Sequence, residues 1–224
     1  MLAILGLKRL RNLVLVIAPY AVSVPLALAG SERLEPATAA GLIALALAPG
    51  ALLAPVVVSA AGGRRADMAG ALVLGTVILS FVLVSTRPGA TNVALTASQA
   101  FVVASLVAGA VPTLRDRILT PLRWAGHLAA LVVIALALAS GPRIDGVTAV
   151  VAFVALSLTL GVAAAVAASL RRDIPSALAA VGTRDPVVAI ALAWSIGGPE
   201  ATAVPLAGAV ILGIASAALI IRRR

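Results

Sequence analysis

Five consecutive residues, Gly182-Thr183-Arg184-Asp185-Pro186, interrupt an otherwise apolar run from Ile174 to Ile196. A run of that length is long enough to cross a bilayer. Gly and Pro loosen or break a helix. A charge at membrane depth costs at least about 2.5–3.5 kcal/mol on insertion scales, so an ionisable residue there is a functional candidate by default. Three chemistries are open to the pair. Arg184 and Asp185 satisfy each other, or the free backbone groups of a broken helix. Alternatively, Arg184 stands in for a bound cation and faces an anionic substrate. In the third, Asp185 carries a coupling proton, as intramembrane carboxylates do in proton relays.

A second interruption, Ala48-Pro49-Gly50 with Pro55 following, lies in the middle of the apolar run from Thr38 to Ala60. If the helix breaks there, its half-helix N-terminus aims free N–H groups at the centre, which suits an anion. Two broken helices in one chain predict a transporter binding site at the midplane. The candidate substrate or ion site is therefore Pro49, Gly50, Ala54, Pro55, Gly182, Thr183, Arg184 and Asp185, with Gln99 added from a neighbouring apolar run. Gln99 either faces a substrate cavity or hydrogen-bonds a neighbouring helix. Thr76, Thr96 and Ser98 are weaker candidates, because hydroxyls often bond back to their own helix. His127 reads as an interfacial histidine rather than a proton relay.

Composition removes most other classes. The chain has 224 residues, is 62% hydrophobic and only 11% charged, with a mean hydropathy of +1.16. That composition is a polytopic membrane protein, with no room for a separate soluble domain. The net charge of +9 would suggest nucleic acid in a soluble chain, but the basic residues sit in short clusters between apolar runs. No nucleic-acid partner is expected. Cysteine is absent and there is one His, so thiolate metal sites and cysteine nucleophiles are excluded and no metal or other cofactor is expected. No catalytic triad, P-loop or dinucleotide fingerprint is convincing, and the reading is not an enzyme.

The elements that must position the site are eight candidate spans: 13–29, 38–60, 66–86, 92–112, 122–140, 146–170, 174–196 and 201–221. The first could instead be a signal peptide ending at Ala27-Leu28-Ala29, but it is long for one. With eight spans, Lys8, Arg9, Arg11, Arg64, Arg65, Arg115, Arg117, Arg123, Arg171, Arg172, Arg222, Arg223 and Arg224 share one side. Arg33, Arg87 and Arg143 share the other. The positive-inside rule then predicts a cell (inner or plasma) membrane protein with both termini cytoplasmic. Trp124 and Trp194 fall near span ends, as interfacial anchors do.

The chain reads as one integral membrane domain over 1–224 with two repeat-like units. Leu53-Ala54-Pro55-Val56-Val57 resembles Arg184-Asp185-Pro186-Val187-Val188, and each is followed by a Gly-Gly turn, Gly62-Gly63 or Gly197-Gly198. The units are 12–86 (spans 1–3) and 146–221 (spans 6–8), linked by spans 4–5 (92–140). Spans 1 and 6 run in opposite directions, so the units are inverted repeats, a recurrent plan in secondary transporters. The expected fold class is an all-α membrane protein, with eight transmembrane helices and two discontinuous helices crossing at the midplane.

Ala48-Pro49-Gly50-Ala51-Leu52-Leu53-Ala54-Pro55 is similar to the Pro-Gly-Gly-x-x-Ser-Asn motif of the bile acid:sodium symporter family. Ala180-Val181-Gly182-Thr183-Arg184-Asp185, with Ala189-Ile190-Ala191-Leu192-Ala193 following, is similar to its Glu-x-Gly-x-Gln-Asn stretch. The resemblance implies ten helices in two inverted repeats of five, with the eight spans here corresponding to the last eight. The chain then reads as a short, bacterial-type variant lacking the first two helices. The family's Ser-Asn pair falls on Ala54 and Pro55, its Glu on Ala180, its Gln on Arg184 and its Asn on Asp185. Hydroxyl positions of the next helix fall near Ala71 and Gly75. In the family these positions supply oxygens to sodium, and Ala and Pro side chains supply none. The resemblance thus implies secondary active transport of a small organic anion by alternating access, without the usual sodium sites. A proton is the other coupling cation to consider. A degenerate, non-transporting homologue, or a membrane subunit of a larger assembly, is the alternative. The expected partners are the lipid bilayer, the anion and a second copy of the chain.

Overall fold

The computed structural model describes residues 10–50, 66–86, 128 and 131–221. The described residues are helical, with no strand among them. Helix α1 is Leu10–Ser31, α2 is Pro36–Leu47 and α3 is Ala66–Ser85. Residues 131–139 are helical. Helix α4 is Gly146–Ser169, followed by the short α5, Ile174–Ala177, which runs on as a π-helical turn over Leu178–Gly182. Helix α6 is Pro186–Gly197, a 3-10 turn covers Pro199–Thr202, and α7 is Ala203–Ile221. Three of the described helices are long and apolar enough to cross a membrane, at Asn12–Ser31, Met68–Ser85 and Gly146–Ser169.

Local chemistry explains the boundaries. Helices α2 and α6 each start on a Pro, whose missing N–H is an orphan anyway in a first turn. Helix α2 stops at Leu47 because Ala48 precedes Pro49, and Ala48 takes the extended ψ of 144° that a pre-proline residue favours. Asp185 caps α6, with Oδ1 accepting from the N–H groups of Val187 and Val188 at 3.0 and 3.1 Å. Asp173 caps α5 in the same way through Ser176 N–H. Helix α6 ends at Gly198, whose φ of 76° suits glycine. The run 174–196, expected as one interrupted span, is thus two helical pieces separated by Thr183-Arg184-Asp185. The run 38–60 is helical to Leu47 and broken at Ala48-Pro49-Gly50, and its continuation lies outside the described residues.

Packing then brings the two breaks together. Small residues let α2 and α6 approach closely, as helices in lipid require. A Cβ on Gly41 would strike the Ala201 carbonyl, and one on Gly197 would strike the Ala40 side chain. One apolar cluster joins Leu15, Leu72, Ala167 and Val181 at one end of the bundle. Another joins Ala44, Val84, Leu192 and Ala201 towards the other end. Between them the breaks meet: Gly50 bridges Arg184 in antiparallel sense, and Asp185 N–H donates to the Pro49 carbonyl at 2.8 Å. The outward faces of α4 and α7 carry Val150, Phe153, Val154, Val210 and Ile214 exposed, which suits contact with acyl chains.

Candidate functional site

The first break carries free carbonyls and N–H groups that the bundle satisfies from two helices. Ser80 Oγ on α3 donates to the Leu47 carbonyl at 2.6 Å. Tyr20 OH on α1 donates to the Ala48 carbonyl at 2.9 Å. Gly50 N–H donates to Thr76 Oγ1 on α3 at 2.9 Å, and that hydroxyl donates onward to the Val73 carbonyl. Gly50 is required by space as well as flexibility, because a Cβ there would overlap the Ala180 carbonyl. The second break is held similarly from α4, where Thr159 Oγ1 lies 2.9 Å from the Gly182 carbonyl. Thr183 closes its own turn, with Oγ1 donating to the Ala179 carbonyl at 2.6 Å. Each break is thus anchored by a side chain of the uninterrupted helix that precedes it, Tyr20 for one and Thr159 for the other.

Arg184 lies at the centre of this arrangement, 1% exposed. Its guanidinium carbon sits 4.0 Å from the centroid of the Tyr20 ring. Nη1 donates to the Ala48 carbonyl and Nη2 to Ser23 Oγ, both at 3.2 Å. Nε has no partner among the described residues. A guanidinium carries five N–H donors in a fixed fork, and the two bonds use two of them. Among the described residues no carboxylate pairs with it. Asp185, adjacent in sequence, instead turns Oδ1 to the first turn of α6. Of the sequence alternatives, mutual neutralisation of Arg184 and Asp185 is therefore overturned. Satisfaction of broken-helix backbone groups holds for both residues, and for Arg184 the backbone group belongs to the other break.

The energetics fit a held but uncompensated cation. Hydrogen bonds to a charged group contribute about 1.5–3 kcal/mol each, and a desolvated cation–π contact about 2 kcal/mol. Together they offset a desolvation penalty of several kcal/mol for a buried ion. None of these contacts neutralises the charge.

Arg184 also lines a cavity of about 300 Å³ between α1, α2 and α4. Its other polar side chains are Ser23 and Thr159, and the remainder of the wall is apolar, including Leu26, Leu45, Val150 and Val154. A volume near 300 Å³ is at the small end of ligand sites, which are mostly apolar with a few placed polar groups.

Of the residues expected at the site, Pro49, Gly50, Arg184 and Asp185 meet at the crossing, while Gly182 and Thr183 lead into it, bonded to α4 and to their own turn. Ala54, Pro55 and Gln99, with Thr96, Ser98 and His127, lie outside the described residues. Ala180, in the position of the family's Glu, is fully buried with its carbonyl against Gly50. Thr76, ranked low as a hydroxyl that bonds its own helix, does so and also fixes the first break. Tyr20 and Ser23 were missed. One signal was present: Tyr20 is the only tyrosine in the chain, and Ser23 follows it by three residues, which puts both on one helix face. In comparisons with known proteins, no protein-family model and no curated protein matches the chain.

Proposed function

We propose that the chain is a secondary active transporter of a small organic anion, working by alternating access around the two crossed breaks. On this reading it is a bile-acid-symporter-like carrier of eight spans, built as inverted repeats, with both termini cytoplasmic in the cell membrane. The observation that carries the reading is the buried guanidinium of Arg184. It borders a cavity, keeps a buried Nε without a partner and has no carboxylate partner among the described residues. A buried charge that served structure alone would be neutralised by a partner. The Ala48 carbonyl, freed by the helix break, is the kind of oxygen that unwound helices offer to coupling cations. Here it accepts from Arg184 Nη1, so a tethered cation occupies that ligand. Coupling to sodium through the family's usual positions is therefore not expected.

A second reading rests on the tightness of the crossing, where Gly50 abuts the Ala180 carbonyl with no room for a methyl group. A crossing so packed also fits a non-transporting homologue or a subunit of a larger assembly that retains the fold. Uptake of labelled carboxylates into proteoliposomes separates the two. The carrier reading expects saturable uptake that is unchanged when sodium is replaced by potassium or choline and is lost in Arg184→Gln. Absence of saturable uptake for every carboxylate, from protein that still binds one of them, would establish the second reading. Cysteine accessibility of single-cysteine variants tests the topology, since the chain has no cysteine of its own.

A further inference from the structure

We infer that the π-helical turn at Leu178–Gly182 is a two-state switch. Closing it to an α-helical register withdraws the Arg184 side chain from the Tyr20 ring and uncouples the two breaks. The switch is a property of the unliganded chain and goes beyond the carrier reading, on which it is the step that loosens the crossing.

Thr183 carries both registers at once. Its N–H donates to the Leu178 carbonyl at 2.9 Å, five residues back, which is the π pattern. Its hydroxyl donates to the Ala179 carbonyl at 2.6 Å, four residues back. That carbonyl is the one an α-helix assigns to the Thr183 N–H. Closing the turn passes the Ala179 carbonyl from the hydroxyl to the N–H, and gives the Leu178 carbonyl the N–H of Gly182. Neither register leaves either carbonyl without a donor, so hydrogen bonding sets no large gap between them. Single π turns of this kind are rare and are frequently found at functional sites.

A second donor is divided in the same way. Thr159 Oγ1 on α4 lies 2.9 Å from the Gly182 carbonyl and 2.9 Å from the Leu156 carbonyl. A hydroxyl has one proton, so Thr159 bonds either the turn or its own helix at equal distance. Gly182 lies close on α4, where a Cβ would come 3.0 Å from Leu160 Cδ2. Seating on α4 favours the π register, and release of the Gly182 carbonyl leaves Thr159 satisfied.

The switch moves Arg184. A π turn closes its hydrogen bond one residue later than an α turn, so the change of register rotates the residues that follow by about 100°, one residue's share of a helical turn. Asp185 is held as the cap of α6 and by the Pro49 carbonyl, so Thr183 and Arg184 absorb the rotation. Both guanidinium bonds are 3.2 Å, at the long end of the N–H···O range, and they break together with the contact to the Tyr20 ring. The Ala180 carbonyl, which abuts Gly50, turns off it in the same movement.

The test uses two magnetic-resonance probes on the full chain in nanodiscs. Val181-Gly182 is the one Val-Gly pair in the chain and Tyr20 is the one tyrosine. Carbonyl-labelled valine with amide-labelled glycine, and fluorotyrosine, therefore each give a single signal. Relaxation dispersion at the Gly182 amide reads the register. The fluorine signal reads the guanidinium, with Arg184→Met marking the shift of a ring that has no cation over it. Both probes should report exchange with one shared minor population. Thr183→Val removes the hydroxyl that only the π register uses and should raise that population about two- to tenfold, the effect of one hydrogen bond. Thr183→Ser should leave it unchanged. Thr159→Val should raise it likewise, and it keeps the test decisive if Thr183→Val fails to fold. Flat dispersion at Gly182 with one fixed fluorine line in the wild type and the variants overturns the inference. So does exchange at Gly182 that the Tyr20 signal does not follow, or a Thr183→Val population equal to that of the wild type. If such static signals come from protein whose carboxylate uptake is saturable and lost in Arg184→Gln, the carrier reading stands and only the switch fails.

Discussion

Removing the Tyr20 ring should destabilise the protein chiefly because Arg184 loses its cover. Tyr20→Phe keeps the ring and removes the hydroxyl. The Ala48 carbonyl still accepts from Arg184 Nη1, so it is not orphaned, and the loss should be about 0.5–1.5 kcal/mol. Tyr20→Leu removes the ring, which sits 4.0 Å from the guanidinium carbon at a buried site. It forfeits a cation–π contact of about 2 kcal/mol and leaves a void besides, for a total of about 3–5 kcal/mol. In an Arg184→Met background there is no cation to cover, so the same Tyr20→Leu change should cost about 2 kcal/mol less. Arg184→Met alone should be neutral or stabilising while anion binding is lost, the pattern expected where a buried charge is kept for function. The assay is reversible denaturant unfolding in micelles for the wild type, both single variants and the double variant. A coupling energy below about 0.5 kcal/mol would refute the cation–π account. A large stability loss in Arg184→Met would show that the guanidinium is a structural clamp.

Three further outcomes follow from the same geometry. Arg184→Gln and Asp185→Asn should have additive effects on stability, within about 0.5 kcal/mol, because their side chains use separate partners; marked recovery in the double variant would mean that they interact after all. Gly50→Ala should lower stability by about 1–3 kcal/mol or more, because its methyl group would meet the Ala180 carbonyl; a normal melting temperature in detergent would contradict that contact. Asp145, the cap of α4, accepts from Thr148 N–H at 2.7 Å, and that bond holds its carboxyl below the ordinary value of 3.8. A folded-state pKa below the unfolded one gives stability that is present above 3.8 and is lost as pH falls through the folded value. The melting-temperature gap between wild type and Asp145→Ala should therefore be constant above that pH and close below it.

Much of the architecture is legible locally. Pro49 and Pro186, with the glycines around them, mark where helices stop and start, because a missing N–H and a fixed φ act within one turn. Asp173 and Asp185 announce helix starts for an equally local reason, since a cap bonds N–H groups two or three residues away. Of the expected spans, 13–29, 66–86 and 146–170 coincide with the three described helices that are long and apolar enough to cross a membrane. Adjacency in sequence misled at one point: Arg184 and Asp185 suggest an ion pair, but successive residues at a helix break leave in different directions.

Only the tertiary structure decided what Arg184 touches. Its partners are Ala48, 136 residues away, and Ser23, 161 residues away, together with the ring of Tyr20. Hydropathy and propensity carry no information about contacts at that separation. The close approach allowed by Gly41, Gly50 and Gly197 brings α2 against α6 and the two breaks together. Tyr20 and Ser23 read as ordinary residues of an apolar helix until packing turned their face to the crossing. The sequence by itself determined that a charge lies deep in a broken helix. The fold decided that this charge is covered by an aromatic ring and buried beside an apolar cavity.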